Sequence, residues 1–201
     1  MKIVTDIGDN SKVTYIENWL SDEEATKLFN FCKGMEWRQE RYNAKVLVPR
    51  LTAFIADVGV NYRYSGLLHK GEGFTIFWRE LLNKLDEDWK TRYHNSILFN
   101  CYRNENDSIG LHSDDEPELG ENPQVITLSL GETRQLEMQH KTSRSFPGKF
   151  GNLYFDLAHG SLFIMEGECQ KHWKHGIKKA ASPKGMRISL TFRMMKKDET
   201  R

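Results

Sequence analysis

His112 and Asp114 stand two residues apart in GLHSDDE, Gly110 to Glu116. On an extended chain that spacing sends both side chains to one face and turns Ser113 away. An imidazole and a carboxylate so placed can share a cation, and a third ligand must then come from a distant segment. HWKHG (His172–Gly176) offers two histidines, His172 and His175. Two histidines and one carboxylate make the facial set that holds non-haem Fe(II), with positions left open for a cosubstrate and O2. Taken alone, Asp114, Asp115 and Glu116 fit a solvated acidic turn closed by Pro117.

A second constellation lies near the C-terminus. In RISLTFR, Arg187, Ser189, Thr191 and Arg193 alternate with Ile188, Leu190 and Phe192. As a strand this places the apolar set on the core and presents two guanidiniums on the other face, about 20 Å apart at ~3.3 Å per residue. Guanidinium forks suit carboxylates, although a half-exposed strand with two surface arginines has the same pattern. SILFNCYR alternates likewise, so Leu98, Asn100 and Tyr102 share a face opposite Phe99 and Cys101. An amide and a phenol would reach one cavity, just upstream of His112.

The elements that must position these groups are legible in outline. Lys12–Leu20 reads as a strand entering a helix, and Ser21 with Glu24 forms an S-x-x-E capping box before the helical run to Lys33. A second helix is predicted around Phe74–Trp89, with Phe77, Leu81, Leu82, Leu85 and Trp89 as its apolar face. Strand-like pieces VLV, LTAFIADV and NYRYSG fill 45–66. From Asn95 onward short β-branched and aromatic runs follow one another, punctuated by Gly, Pro, Asn and Asp. Helices followed by many short strands predict an α+β fold, a β-sandwich or barrel with helices on one side. The chain divides into 1–94, with the helices and early strands, and 95–195, the β-rich core, within one structural domain.

Bulk properties narrow the class. The chain has 201 residues, 38% apolar and 28% charged, with a net charge of +1. That is an ordinary globular composition, and no overall basic field announces a nucleic-acid partner. The three cysteines, Cys32, Cys101 and Cys169, form no CxxC pair and predict a reducing, cytoplasmic setting. The first residues lack the apolar run of a secretory signal, and no segment approaches the ~18 apolar residues of a membrane helix.

In order and spacing, N-x-Y, H-x-D, a remote histidine and R-x-S-L-T-F-R resemble the AlkB family of Fe(II)- and 2-oxoglutarate-dependent dioxygenases. VPRLTAFIADVG (Val48–Gly59), NYRYSGL (Asn61–Leu67), IGLHSDDE (Ile109–Glu116), LAHGSLFIM (Leu157–Met165) and HWKHGI (His172–Ile177) are similar to the animal DNA-repair subgroup. The likeness covers about 42–195.

The resemblance implies a double-stranded β-helix core (jelly-roll, cupin-like) with N-terminal helices and a nucleotide-recognition strand and loop region. It selects His175 over His172, so that His112, Asp114 and His175 are the catalytic iron ligands. It places Asn100, Tyr102, Arg187, Thr191 and Arg193 around 2-oxoglutarate, with O2 as cosubstrate. It implies oxidative demethylation of 1-methyladenine and 3-methylcytosine in single- or double-stranded DNA, or in RNA, by a monomer that needs no membrane. A flipped base would stack on Tyr64 and be read by Glu116, with Asp115 a second candidate and Tyr62 near the lesion's backbone. Tyr42 falls where duplex-acting members carry an apolar wedge, although its ERYNAK setting is polar. Arg50 of the VPR motif is a further substrate-binding candidate, and backbone contacts are expected from basic segments Arg38–Lys45 and His140–Arg144 with Lys149, which include Lys141 and Arg144.

Overall fold

The computed structural model describes residues 1–42, 45–64, 67–89, 93–142 and 151–197. Two strands open the chain, β1 (Lys2–Gly8) and β2 (Ser11–Ile16), joined through Asp9 and Asn10 at φ 51° and 52°. Short polar side chains tolerate that left-handed turn. Sequence reading finds only the second strand, because β1 is an edge strand whose side chains are mostly exposed and show no apolar alternation.

Helix α1 (Asp22–Lys33) begins where the capping box predicts. The Ser21 hydroxyl accepts from the Glu24 N–H at 3.3 Å, and the Glu24 carboxylate accepts from the Ser21 N–H at 2.9 Å. Its buried residues Ala25, Leu28 and Cys32 recur at helical spacing. Two short hairpins follow around a longer strand: β3 (Arg41–Tyr42) with β4 (Val46–Leu47), then β5 (Leu51–Ala56), then β6 (Asn61–Tyr64) with β7 (Leu67–Lys70). Helix α2 (Ile76–Trp89) buries Trp78, Leu82 and Leu85. The predicted face is thus one residue out of phase at its start: Trp78 faces in, and Phe77 is exposed against Phe31. With adjacent aromatics both phases satisfy the periodicity, so only packing decides.

The remaining elements are β8 (Ser96–Tyr102), β9 (Ile109–His112), a 3-10 turn (Pro117–Leu119), β10 (Val125–Gly131), β11 (Arg134–His140), β12 (Leu153–Leu157) and β13 (Ser161–Gly167). The short helix α3 (Cys169–His172), β14 (Trp173–Ile177) and β15 (Arg187–Arg193) complete them. A seven-stranded antiparallel sheet runs β1-β2-β13-β10-β15-β8-β5 and faces a four-stranded sheet, β12-β11-β14-β9. This is the jelly-roll. Strands β1, β2 and β5 precede residue 95, so the large sheet is continuous across the division at 94/95.

Two apolar layers hold it together. Leu28, Trp78, Leu82, Phe99, Leu128 and Leu190 pack the helices on the outer face of the large sheet. Tyr102, Leu136, Met138, Phe163, Met165 and Trp173 fill the space between the sheets. Each such side chain contributes roughly 1.5–3 kcal/mol relative to exposure. In β15 every residue is buried: Ile188, Leu190 and Phe192 enter the helix-side core, and the two arginines face the other sheet. The half-exposed alternative is therefore excluded. No helix among the described residues is long and apolar enough to cross a membrane.

Candidate active site

The antiparallel register of β9 with β14 sets His112 opposite His175, with ring centroids 4.3 Å apart. Asp114 lies just past the end of β9. Ser113 turns outward and donates its hydroxyl to the Trp173 carbonyl at 2.9 Å, while the Asp114 N–H donates to the Gln170 side chain at 2.9 Å. The carboxylate thereby meets both imidazoles, at 3.6 Å from His112 Nε2 and 4.0 Å from His175 Nε2. All three potential ligand atoms lie within 4.8 Å of one another.

The donor set fits a divalent cation. Nδ1 of His112 is 2.9 Å from the Gly110 carbonyl, which fixes a proton there and leaves Nε2 to coordinate. Burial, with His112 beside it, holds His175 down at about 3 despite Asp114, so its imidazole is neutral. Burial would raise Asp114, but Arg193, His175 and His112 hold it at about 2. Its Oδ2 is buried without a hydrogen-bond partner, an orphan that a cation would satisfy. Two imidazoles and one carboxylate suit Fe(II).

Behind the triad a cavity between the sheets is lined by Asn100, Tyr102, Thr191, Arg187 and Arg193, among others. Register explains the convergence: β15 and β8 pair Arg187 with Tyr102 and Ser189 with Asn100. Arg187 is fully buried and donates Nη2 to the Ser129 hydroxyl at 2.9 Å, while its Nε and Nη1 lack hydrogen-bond partners. A desolvated guanidinium with open donors calls for an anion, and its fork matches a carboxylate. Arg193 differs, because its Nη2 lies 3.0 Å from Asp114. One arginine is therefore at the triad and the other further along the cavity, an asymmetry that alternation alone left open. Asn100 accepts at its Oδ1 from Arg50 Nε at 2.7 Å, which leaves its NH2 as the donor for the cavity.

Glu116 interacts with Arg193, one of the cavity's lining residues. Its Oε1 accepts from the Tyr62 hydroxyl at 2.8 Å, and its Oε2 is buried without a partner. Two expectations are corrected here. Tyr62 is wholly buried, so it supports Glu116 from beneath and does not reach a ligand's backbone. Arg50 is wholly buried too, held by Asn100 and the Ser108 carbonyl, so it is an internal strut and not a surface contact. Asp115 is exposed and pairs with Lys141 at 3.3 Å, and Lys141 also donates to the Gln170 carbonyl. Tyr42 is exposed on the β3–β4 hairpin with Val46 and Leu47. Tyr64 ends β6, and Arg144 and Lys149 lie outside the described residues. His172 is apart from the triad and pairs with Glu168.

Ser129 and Gln170 escape the sequence reading. Ser129 had a signal, since VITLSLG alternates Thr127 and Ser129 with Ile126, Leu128 and Leu130. Nothing local marks Gln170, which acts through a contact 56 residues away.

The profile of the 2OG-Fe(II) oxygenase superfamily matches residues 12–193. A fold, a triad and a buried-arginine pocket of this kind define an iron- and 2-oxoglutarate-dependent oxygenase, with O2 as cosubstrate. Human alpha-ketoglutarate-dependent dioxygenase alkB homolog 3 is 34% identical over 196 residues, covering 94% of this chain and 68% of that one. Human DNA oxidative demethylase ALKBH2 is 31% identical over 179 residues, covering 85% and 66%. The chain belongs to the AlkB family. Among solved structures, one titled "The structure of OsALKBH1" superposes with a TM-score of 0.66 at 13% identity, over 96% of this chain and 100% of that one. A Pseudomonas putida prolyl-4-hydroxylase gives 0.59 at 14%, over 92% of each. These two establish the fold alone.

Proposed function

We propose that this enzyme removes methyl groups from N-alkylated bases, 1-methyladenine and 3-methylcytosine, in DNA, and that His112, Asp114 and His175 hold its iron. The observation that carries the reading is Glu116. A buried carboxylate oxygen with no hydrogen-bond partner, fixed by Tyr62 beside Arg193 of the triad cavity, calls for a donor from outside. Adenine N6 and cytosine N4 each present one. The names of the AlkB relatives support the same substrate class.

Bound at the triad, iron with 2-oxoglutarate and O2 supplies the oxidation of the N-methyl carbon, from which formaldehyde, succinate and CO2 result. The chain's own residues do the rest. Arg187, with Ser129 beside it, takes the far carboxylate of the cosubstrate, and Asn100 donates its amide N–H to the cosubstrate. Arg193 steadies Asp114 as a monodentate partner. Glu116 orients the base, which must leave the stack to present its methyl group, and Tyr64 supplies a stacking face. Three free, buried cysteines support a reducing, cytoplasmic setting.

The test compares formaldehyde release from 3-methylcytosine in single-stranded DNA, duplex DNA and RNA. Glu116→Ala should lower the oligonucleotide-dependent rate about 10–100-fold, from ~1–3 kcal/mol for a buried hydrogen bond to a charge, while basal 2-oxoglutarate decarboxylation continues. Release from RNA alone would move the substrate to RNA. Turnover that no methylated oligonucleotide stimulates would defeat the proposal.

A further inference from the structure

At the end of β11, on the same face of the small sheet as His175, three segments bring Asp9, His140 and His172 together. Asp9 sits in the β1–β2 turn, His140 ends β11, and His172 ends α3. Asp9 Oδ2 lies 2.8 Å from His140 Nε2, and a potential ligand atom from each of the three residues lies within 4.8 Å of the others. The two imidazole rings stand parallel, at 5°, with centroids 6.1 Å apart. Each ring has a further partner: Thr142 Oγ1 is 2.8 Å from His140 Nδ1, and Glu168 Oε2 is 2.8 Å from His172 Nε2.

We propose that Asp9, His140 and His172 form a second metal site, which takes a borderline divalent cation of the zinc type. Two imidazoles and a carboxylate match that class of ion. The carboxylate–histidine contact of Glu168 is the kind of partner that orients a coordinating imidazole, and it assigns Nδ1 of His172 to the ion. Binding displaces the proton shared by Asp9 and His140, so that both coordinate instead of bonding to each other. Asp9 is exposed and His172 partly so, which provides an entry path, while His140 is buried beneath them.

The site's place in the fold gives the ion a structural role. Helix α3 carries His172 at its end and leads directly into β14, the strand of His175. The same helix carries Gln170, which accepts from the Asp114 N–H. A cation pinning α3 to the β1–β2 turn and to the end of β11 therefore braces the element that positions two members of the catalytic triad, His175 and Asp114. No part of the catalytic set is shared with it.

The test uses the full chain with the catalytic triad disabled, H112A/H175A, stripped of metal and dialysed against zinc. About one zinc per chain is expected, with a rise in the thermal midpoint of about 5 °C or more at saturation. Adding Asp9→Asn and His172→Gln should abolish both effects. Asparagine tolerates the left-handed turn and glutamine keeps a polar surface group, so the folded circular dichroism spectrum should persist. If the triad-disabled chain binds no zinc, or keeps it in the quadruple variant, the cluster is a plain histidine–carboxylate hydrogen-bond network.

Discussion

Arg187 and Arg193 lie on one face of one strand, yet they meet different partners. Arg193 is tied to Asp114, so its removal disturbs the proposed metal ligand itself. Arg187 stands away from Asp114: it donates to Ser129 and lies over the Tyr102 ring. Arg187→Ala should therefore raise the KM for 2-oxoglutarate about 10–100-fold, from ~1.5–3 kcal/mol for charge-assisted hydrogen bonds, while iron stoichiometry stays unchanged. A titration of 2-oxoglutarate at saturating iron decides this, and an unaltered KM would remove Arg187 from the cosubstrate site. Arg193→Ala, by contrast, should lower iron retention as well. The residue types here were readable in the sequence. Which arginine stands beside the aspartate was not, because alternation gives a face and says nothing about position along a cavity.

At the scale of elements, α2 and the β3–β4 hairpin carry separate expectations. Leu82 is buried against the large sheet, and Leu82→Ala should cost roughly 2–5 kcal/mol and lower the thermal midpoint by about 5–15 °C. Phe77→Ala, on the exposed side against Phe31, should cost no more than about 1 kcal/mol. Thermal unfolding of the two variants distinguishes the phases, and a larger loss at Phe77 would reverse the assignment of the buried face. The hairpin presents Tyr42, Val46 and Leu47 to solvent, side chains that no folding argument requires outside. A Tyr42→Ser, Val46→Ser pair should reduce demethylation of duplex DNA several-fold and leave single-stranded activity intact, since only a duplex has a gap to fill once a base is extruded. Equal losses on both would show that the hairpin grips the strand and does not fill the gap. The pairing of the hairpin sets Tyr42 opposite Val46, so the two exposed apolar side chains lie together.

For the whole molecule, charge is nearly balanced at +1, so affinity for a polyanion must come from a few local groups. Arg38, Arg41 and Lys45 are exposed, whereas Arg50 is buried and Lys141 is engaged by Asp115. With about three phosphates neutralised, the slope of log K against log salt on single strands should be near −2, and a slope steeper than about −5 in a binding titration would reveal a broad basic surface. The capping box at Ser21, the alternation of Arg187 to Arg193 and the H-x-D spacing are local signals, set by helix and strand periods of a few residues. They sufficed to place α1, β15, β8 and the candidate ligands. Other features arise only when distant segments meet. The register that sets His112 against His175, the burial that strands the Glu116 oxygen, Arg50 as a strut for Asn100, and the Asp9–His140–His172 cluster all depend on contacts between segments far apart in the chain. The sequence by itself determined which side chains share a face, because strand and helix periods are local. The tertiary structure alone decided which faces meet and which polar atoms lose water, because burial and sheet register are properties of the packed whole.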